Sequence, residues 1–248
     1  MAKQRITLDE FVQQLRDLHG TRLRAVVLYG SAATDEQVEG LSDLNVLVLV
    51  ESISMDTLRT LGPTVHAWVE AGNPPPLTLR VDEWQRSADI FPMEYADILE
   101  RHRVLFGTAP FDEVTVRPND LRLQLEHEAM GKLLRLRQGV MAAGTNTAQQ
   151  RDLMRASFST LMVIFRAAER LAGQVPPRDK IALIREVAAR GEFDPVAFER
   201  VAGLVKGATI SDADTPSILS AYVQAMETLV EHLDGFNPPG LRGGSLST

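Results

Sequence analysis

The sequence predicts an α+β protein in which a small mixed-sheet domain precedes an all-α helical bundle. Two β-rich segments, Leu23–Tyr29 and 44–50, lie among helical patterns in the first half of the chain. In the second half the apolar residues recur at the helical period and no strand pattern returns. We therefore expect one domain over 1–115, a helical bundle over 116–236, and a flexible tail over 237–248, which has little apolar content.

The first half contains both helix and strand signals. Thr7 followed three residues later by Glu10 is the capping-box pattern of a helix start. The segment Leu23–Tyr29 is a predicted strand that ends at Gly30. The almost uninterrupted apolar run over 44–50 is typical of a strand that is covered on both faces. The remaining predictions for this half are a helix over 55–71, strands over 77–81 and 103–106, and an extended segment over 93–98.

The second half contains helical patterns only. Two apolar stripes predict its first two helices: Leu121, Leu125, Ala129, Leu133 and Leu136, then Met154, Phe158, Leu161, Phe165 and Ala168. A third helix is predicted from Asp179. Two further helices are predicted where a capping side chain precedes a proline at the first helical position, at Asp194-Pro195 and Thr215-Pro216.

Composition excludes several classes of protein. The formal net charge is -7, from 33 acidic and 26 basic residues, and this disfavours a nucleic-acid partner, which would need a basic face. The chain has no cysteine, so disulfides and thiolate metal sites are excluded. Its first residues lack the apolar segment of a signal peptide, and no apolar run is long enough to cross a bilayer. We therefore expect a cytoplasmic protein with no membrane partner.

The residues that suggest chemistry lie between the first two predicted strands. In an extended chain, side chains two positions apart point to the same face, so Asp43 and Asn45 project together. Two oxygen-bearing side chains on one face can hold Mg²⁺, which is usually completed by waters and substrate phosphates. Gly30 allows a phosphate to approach the backbone closely, and Ser31 offers a hydroxyl and an amide to phosphate oxygens.

This arrangement resembles the nucleotidyltransferase superfamily, which includes the aminoglycoside adenylyltransferases and the minimal nucleotidyltransferases. The family pattern is an apolar strand, Gly-Ser, a connection, an Asp-apolar-Asp pair and a third carboxylate from a later strand. Gly30-Ser31 match the first element, and Asp43 with Leu44 begins the second. Asn45 stands where the family usually has its second acid. Glu94, within 91–95, looks like the third acid, which in family members binds metal or deprotonates the acceptor hydroxyl.

The resemblance implies an activity and a set of ligands. The activity is Mg²⁺-dependent transfer of a nucleoside monophosphate from ATP or another nucleoside triphosphate to a hydroxyl of a small molecule or protein. Asp43 and Glu94 would be the catalytic residues, with Asn45 as an additional metal ligand. Lys132, which lies in a basic cluster with Arg135 and Arg137, would contact the triphosphate. The same cluster also fits a charged helix face paired with nearby glutamates.

Several alternatives stay open. Asn45 is neutral and weakens the field that holds a cation, so the chain could be a catalytically degenerate nucleotide-binding or regulatory protein. Asp43 and Asn45 also suit a turn before the strand. Asp97 competes with Glu94 for the role of third acid, and Glu94 also fits a solvated edge. A homodimer is open, and an antitoxin-like partner role is less favoured because the helical region is fused to the same chain.

Overall fold

The chain forms two compact units, which divide between Val116 and Arg117. The computed structural model describes residues 5–33 and 44–236, and of Ser31 it describes the backbone alone. Asp43 and the predicted tail over 237–248 therefore lie outside the described residues. We call residues up to Val116 the α/β unit and residues from Arg117 the helical unit.

The α/β unit contains a four-stranded mixed sheet. Its strands are β1 (Leu23–Tyr29), β2 (Asn45–Val50), β3 (Leu77–Arg80) and β4 (His102–Gly107). Its helices are α1 (Leu8–His19), α2 (Met55–Glu70), α3 (Val81–Arg86) and α4 (Pro92–Glu100). The strand order is β3-β2-β1-β4, in which β1 is antiparallel to both β2 and β4, and β3 is parallel to β2. The mixed sheet predicted from the sequence is thereby confirmed.

Side chains of β1 and β2 alternate between two apolar layers. The first layer packs the sheet against α1 and α2, and its buried members include Phe11, Leu15, Val26, Leu28, Val46, Val48 and Trp68. The second packs the sheet against α3 and α4, and its buried members include Ala25, Val27, Leu47, Leu49, Trp84, Tyr95 and Ile98. β2 is therefore covered on both faces, as its uninterrupted apolar run predicted.

The extended segment predicted over 93–98 is wrong, because these residues form helix α4. Pro92 occupies the first helical turn, where its fixed φ suits a helix and its missing N–H is not needed. Pro92, Tyr95 and Ile98 are buried at intervals of three residues, which is helical spacing. The Tyr95 hydroxyl donates to the Trp84 carbonyl at 2.9 Å, and the two rings stack with centroids 4.2 Å apart. A short apolar run does not distinguish a strand from a buried helix. Here the contacts of Tyr95 with Trp84 stabilise the helix.

In the described part of the helical unit every regular element is an α-helix. These helices are α5 (Pro118–Ala143), α6 (Thr147–Leu171), α7 (Lys180–Gly191), α8 (Val196–Val205) and α9 (Thr215–Asp234). The two stripes predicted for α5 and α6 supply buried residues such as Leu125 and Phe165. No helix within residues 5–33 and 44–236 is both long and apolar enough to cross a membrane.

A buried histidine at the end of α1 makes the α/β unit sensitive to acid. His19 is 3% exposed, and neither ring nitrogen has a hydrogen-bond partner within the described residues. Burial, and next the positive charge of Arg22, lower the pKa of His19. The His19 imidazole is therefore protonated near pH 6.5 in the unfolded chain and only at lower pH in the folded chain. The free energy of unfolding consequently falls as the pH is lowered through this range.

We expect His19→Leu to remove most of the loss in unfolding free energy between about pH 7 and pH 5. At neutral pH the change should cost little, because it replaces a ring without hydrogen bonds by an apolar side chain. Urea titrations followed by tryptophan fluorescence measure this, since Trp68 and Trp84, the chain's two tryptophans, both lie in the α/β unit. His66→Leu, on an exposed face of α2, is the matched control. An unchanged acid dependence in His19→Leu would contradict the assignment.

Candidate functional site

The corner after β1 is built on a glycine. Gly30 follows Tyr29 and begins a short 3-10 turn, Gly30–Ala33. Its φ is +76°, in the left-handed region that favours glycine, and its N–H donates to the carbonyl oxygen of Arg101 at 3.0 Å. A Cβ placed on Gly30 would meet no close contact, so backbone conformation rather than space selects glycine. The corner is therefore buried main chain that carries no side chain at this position.

Two polar side chains from different elements converge on this corner. The amide nitrogen of Asn45 lies 3.6 Å and the carboxylate Oδ2 of Asp97 lies 3.7 Å from the position that a Cβ on Gly30 would occupy. Asn45 is the first residue of β2 and pairs with Tyr29 of β1. It shares the strand parity of Leu47, which packs in the layer against α4, so it points toward the helix that carries Asp97.

The pKa of Tyr29 is sensitive to the two carboxylates on α4. Burial raises the pKa of Tyr29, and the charges of Asp97 and then Glu94 raise it further. Both carboxylates therefore act on the same phenol, with Asp97 the stronger. The two acids are three residues apart on α4 and lie on one side of that helix.

Arg101 connects the end of α4 to the glycine corner. Its side chain is 13% exposed, and its guanidinium lies 3.6 Å from Asp97 and 3.3 Å from Glu100. Nε and Nη2 are buried and make no hydrogen bond to any residue that the structure describes. Because the carbonyl of Arg101 also accepts from Gly30, one residue fixes the corner through its main chain and offsets the charge of Asp97 through its side chain.

Glu94 lies on helix α4 and not on the strand that was predicted to carry it, and its role as third acid stays a prediction. It lies in the first turn of α4 and is exposed, whereas Asp97, the competing candidate, lies at Gly30. The strand that does neighbour β2 is β3, which presents Leu77 and Leu79 to the α4 side of the sheet. An acid on that side therefore has to come from the helix. The helical spacing of apolar residues after Pro92 was the available sequence signal.

Of the other predicted site residues, the structure describes Lys132 but not Asp43 or the side chain of Ser31. Asp43 and the side chain of Ser31 lie outside the description, so their roles stay predictions. Just after Asp43, the Leu44 N–H donates to the Asn73 side-chain oxygen at 3.1 Å, which anchors the start of β2. Lys132 lies on α5 and pairs with Glu128 at 3.7 Å, an ion pair of the kind expected for a charged helix face. Its contact with a triphosphate stays a prediction.

The donor set at the corner suits a hard cation, although it is sparse. No group of three or more histidine or acidic side chains that could hold a metal occurs within residues 5–33 and 44–236. Asn45 and Asp97 can supply two oxygen donors, because rotation about the Asn45 side chain exchanges its amide nitrogen and oxygen. Mg²⁺ commonly takes one or two protein carboxylates and completes its shell with waters and phosphates.

No family model and no curated protein matches the chain. Among solved structures, the chain is similar to spectinomycin adenyltransferase AAD(9) from Enterococcus faecialis, whose crystal structure contains ATP and spectinomycin. The TM-score is 0.56 at 13% sequence identity, and the match covers 91% of this chain and 98% of that chain. Identity this low shows the fold alone. The chain therefore has a nucleotidyltransferase-like fold with a helical part, which confirms the predicted fold class.

Proposed function

We propose that this chain transfers a nucleoside monophosphate from ATP or another nucleoside triphosphate to a hydroxyl of a small molecule, with Mg²⁺ as cofactor. The observation that carries the proposal is the convergence of Asn45 and Asp97 on the glycine corner at Gly30. The similar fold of an adenyltransferase that was crystallised with ATP and spectinomycin supports a nucleotide donor and a small hydroxylated acceptor.

Each residue has a proposed role. Asp43, Asn45 and Asp97 hold the metal, and Asp97 thus takes the part that the sequence pattern gave to Glu94. Gly30 keeps a side chain out of the corner, and the N–H of Ser31 donates to a phosphate oxygen. When bound, Mg²⁺ would offset the charge that develops on the transferring phosphate. The acceptor hydroxyl oxygen bonds to the α-phosphorus, the bond to the β-phosphate bridging oxygen breaks, pyrophosphate leaves, and Asp97 takes the hydroxyl proton.

A second candidate is a nucleotide-binding protein without turnover. Two observations favour it: Asn45 is neutral, and β3 places leucines where a strand-borne acid would complete the site. With fewer carboxylates around the cation, Mg-nucleotide could bind without enough charge stabilisation for transfer. The two candidates therefore differ in turnover and agree on binding.

Calorimetry with Mg-ATP and Mg-GTP, followed by a pyrophosphate-release assay, separates the candidates. Acceptors in the assay would be spectinomycin and a panel of aminoglycosides, with mass spectrometry to detect a nucleotidylated product. Binding with release and a modified acceptor supports the enzyme. Binding without release supports the second candidate. The absence of nucleotide binding in the presence of Mg²⁺ overturns both.

Asn45→Asp is expected to tighten Mg-ATP binding about tenfold, because a carboxylate attracts the cation more strongly than an amide. Calorimetry with and without Mg²⁺ measures the gain, which should need the metal. Asn119→Asp adds the same charge at an exposed position of α5 and is the control. If turnover appears only in Asn45→Asp, the native chain is the nucleotide binder. Weaker Mg-ATP binding in this variant would contradict the predicted role of Asn45 as a metal ligand.

A further inference from the structure

Helix α5 has two apolar faces. One face packs inside the helical unit, with Leu125 and Leu133 buried. The other exposes four large apolar side chains: Leu123 (59% exposed), Met130 (43%), Leu134 (48%) and Met141 (74%). We call these four residues the α5 stripe. A row of large exposed apolar side chains along one helix often marks an interaction site.

The α5 stripe is straight. At about 100° per residue, its four members lie within roughly 20° of one line along the helix. The stripe spans about 27 Å from Leu123 to Met141. Lys132, at the middle of this length, projects from the other side of the helix and pairs with Glu128. No charge therefore interrupts the line.

The spacing of the stripe is symmetric about position 132. Leu123 and Met141 lie nine residues before and after it, and Met130 and Leu134 lie two residues before and after it. We propose that α5 pairs with α5 of a second copy of this chain in an antiparallel, two-fold symmetric dimer. Leu123 of each copy then meets Met141 of the other, and Met130 meets Leu134. A two-fold interface requires this kind of self-complementarity.

The charges beside the stripe favour the antiparallel direction. Glu126 and Arg137 flank the same edge of the stripe, on opposite sides of its centre. An antiparallel pair brings Glu126 of one copy beside Arg137 of the other, twice by symmetry. A parallel two-fold pair would instead put the two Glu126 side chains on opposite edges of the interface, where neither meets Arg137 of the other copy. Within the chain Arg137 pairs with Glu227 at 2.7 Å, and its side chain is 48% exposed, so it can also serve a second carboxylate.

Engineered cysteines test the pairing, because the chain has no cysteine of its own. The double variant Leu123→Cys/Met141→Cys should form dimers with a short bifunctional maleimide. A mixture of the two single variants should give dimers joined by one cross-link. Each single variant alone should give none, because the two copies of the same residue are about 27 Å apart in an antiparallel dimer. Cross-linking of Leu123→Cys alone would indicate a parallel pair and overturn the proposal.

Sedimentation velocity on the full chain gives an independent test. Leu134→Glu should raise the dimer dissociation constant by about 30-fold or more, because two carboxylates would be buried at the centre of the interface. Val163→Glu, at a 46% exposed valine of α6, is the matched control and should stay dimeric. Circular dichroism checks that both variants are folded. A native chain that is monomeric at all concentrations, or equal weakening by both variants, would overturn the proposal.

Discussion

Asp97→Asn is expected to lower kcat/KM for nucleotidyl transfer by about 100-fold or more, the usual scale for removal of a general base. Glu94→Gln is expected to stay within about threefold, since an exposed charge one turn away acts only through a solvent-screened field. The pair is closely matched: both acids lie on α4, both act on the Tyr29 phenol, and both changes are isosteric. They differ in that Asp97 lies at Gly30.

Steady-state pyrophosphate release measures both variants, and calorimetry with Mg-ATP gives the same comparison if the native chain binds without turnover. Ultraviolet difference titration supplies a control for the folded state. Asp97→Asn should lower the pKa of Tyr29, because one of the negative charges that raise it is removed. A large loss in Glu94→Gln with normal activity in Asp97→Asn would return the catalytic role to Glu94.

Gly107→Ala is expected to destabilise the α/β unit by about 3 kcal/mol. Gly107 ends β4 with φ +72°, opposite Ala25 of β1. A Cβ there would lie 2.0 Å from the carbonyl oxygen of Arg24 and 2.9 Å from its carbonyl carbon. That oxygen already accepts from the Thr108 N–H at 3.2 Å. Relief of the clash therefore requires a shift of main chain at the sheet and loss of a hydrogen bond.

Gly72→Ala is the control that measures the cost of backbone strain without a steric clash. Gly72 has φ +100°, but a Cβ there would meet nothing within 4 Å. Its replacement should cost about 1 kcal/mol, from backbone strain alone. Urea unfolding followed by tryptophan fluorescence reports on both variants, because both tryptophans lie in the α/β unit. Equal losses in the two variants would mean that the sheet relaxes around the new methyl group.

The layered core was predictable because its signal is local. The uninterrupted apolar run of β2 required cover on both faces, and the two layers around Trp68 and Trp84 provide it. The start of α1 was predictable for a similar reason, since Thr7 and Glu10 form the full capping box. In each case the signal lies in neighbouring residues of the sequence, so the element could be predicted before its distant contacts were known.

Which acid lies at the corner depends on the rotation of α4 against the sheet, which the local sequence does not determine. Residues 93–98 fit a strand or a helix by composition; Pro92 favours a helix start, and the packing of Tyr95 on Trp84 agrees with the helix. Once α4 is a helix, its rotation brings Asp97 rather than Glu94 to Gly30. The sheet order adds a second non-local fact, because it determines that β3 presents Leu77 and Leu79 on this side. Resemblance to a family motif could not supply either fact.

The amide at Asn45 changes how the corner competes with protons. An aspartate ligand is lost to a cation when it takes up a proton, whereas an amide has no such proton to gain in the ordinary pH range. If Asp43, Asn45 and Asp97 hold a cation as proposed, that site would release fewer protons on binding it in acid than a site of three carboxylates. Its affinity for a cation at neutral pH would be lower than that of a three-carboxylate site. That affinity would also decrease less steeply as the pH is lowered.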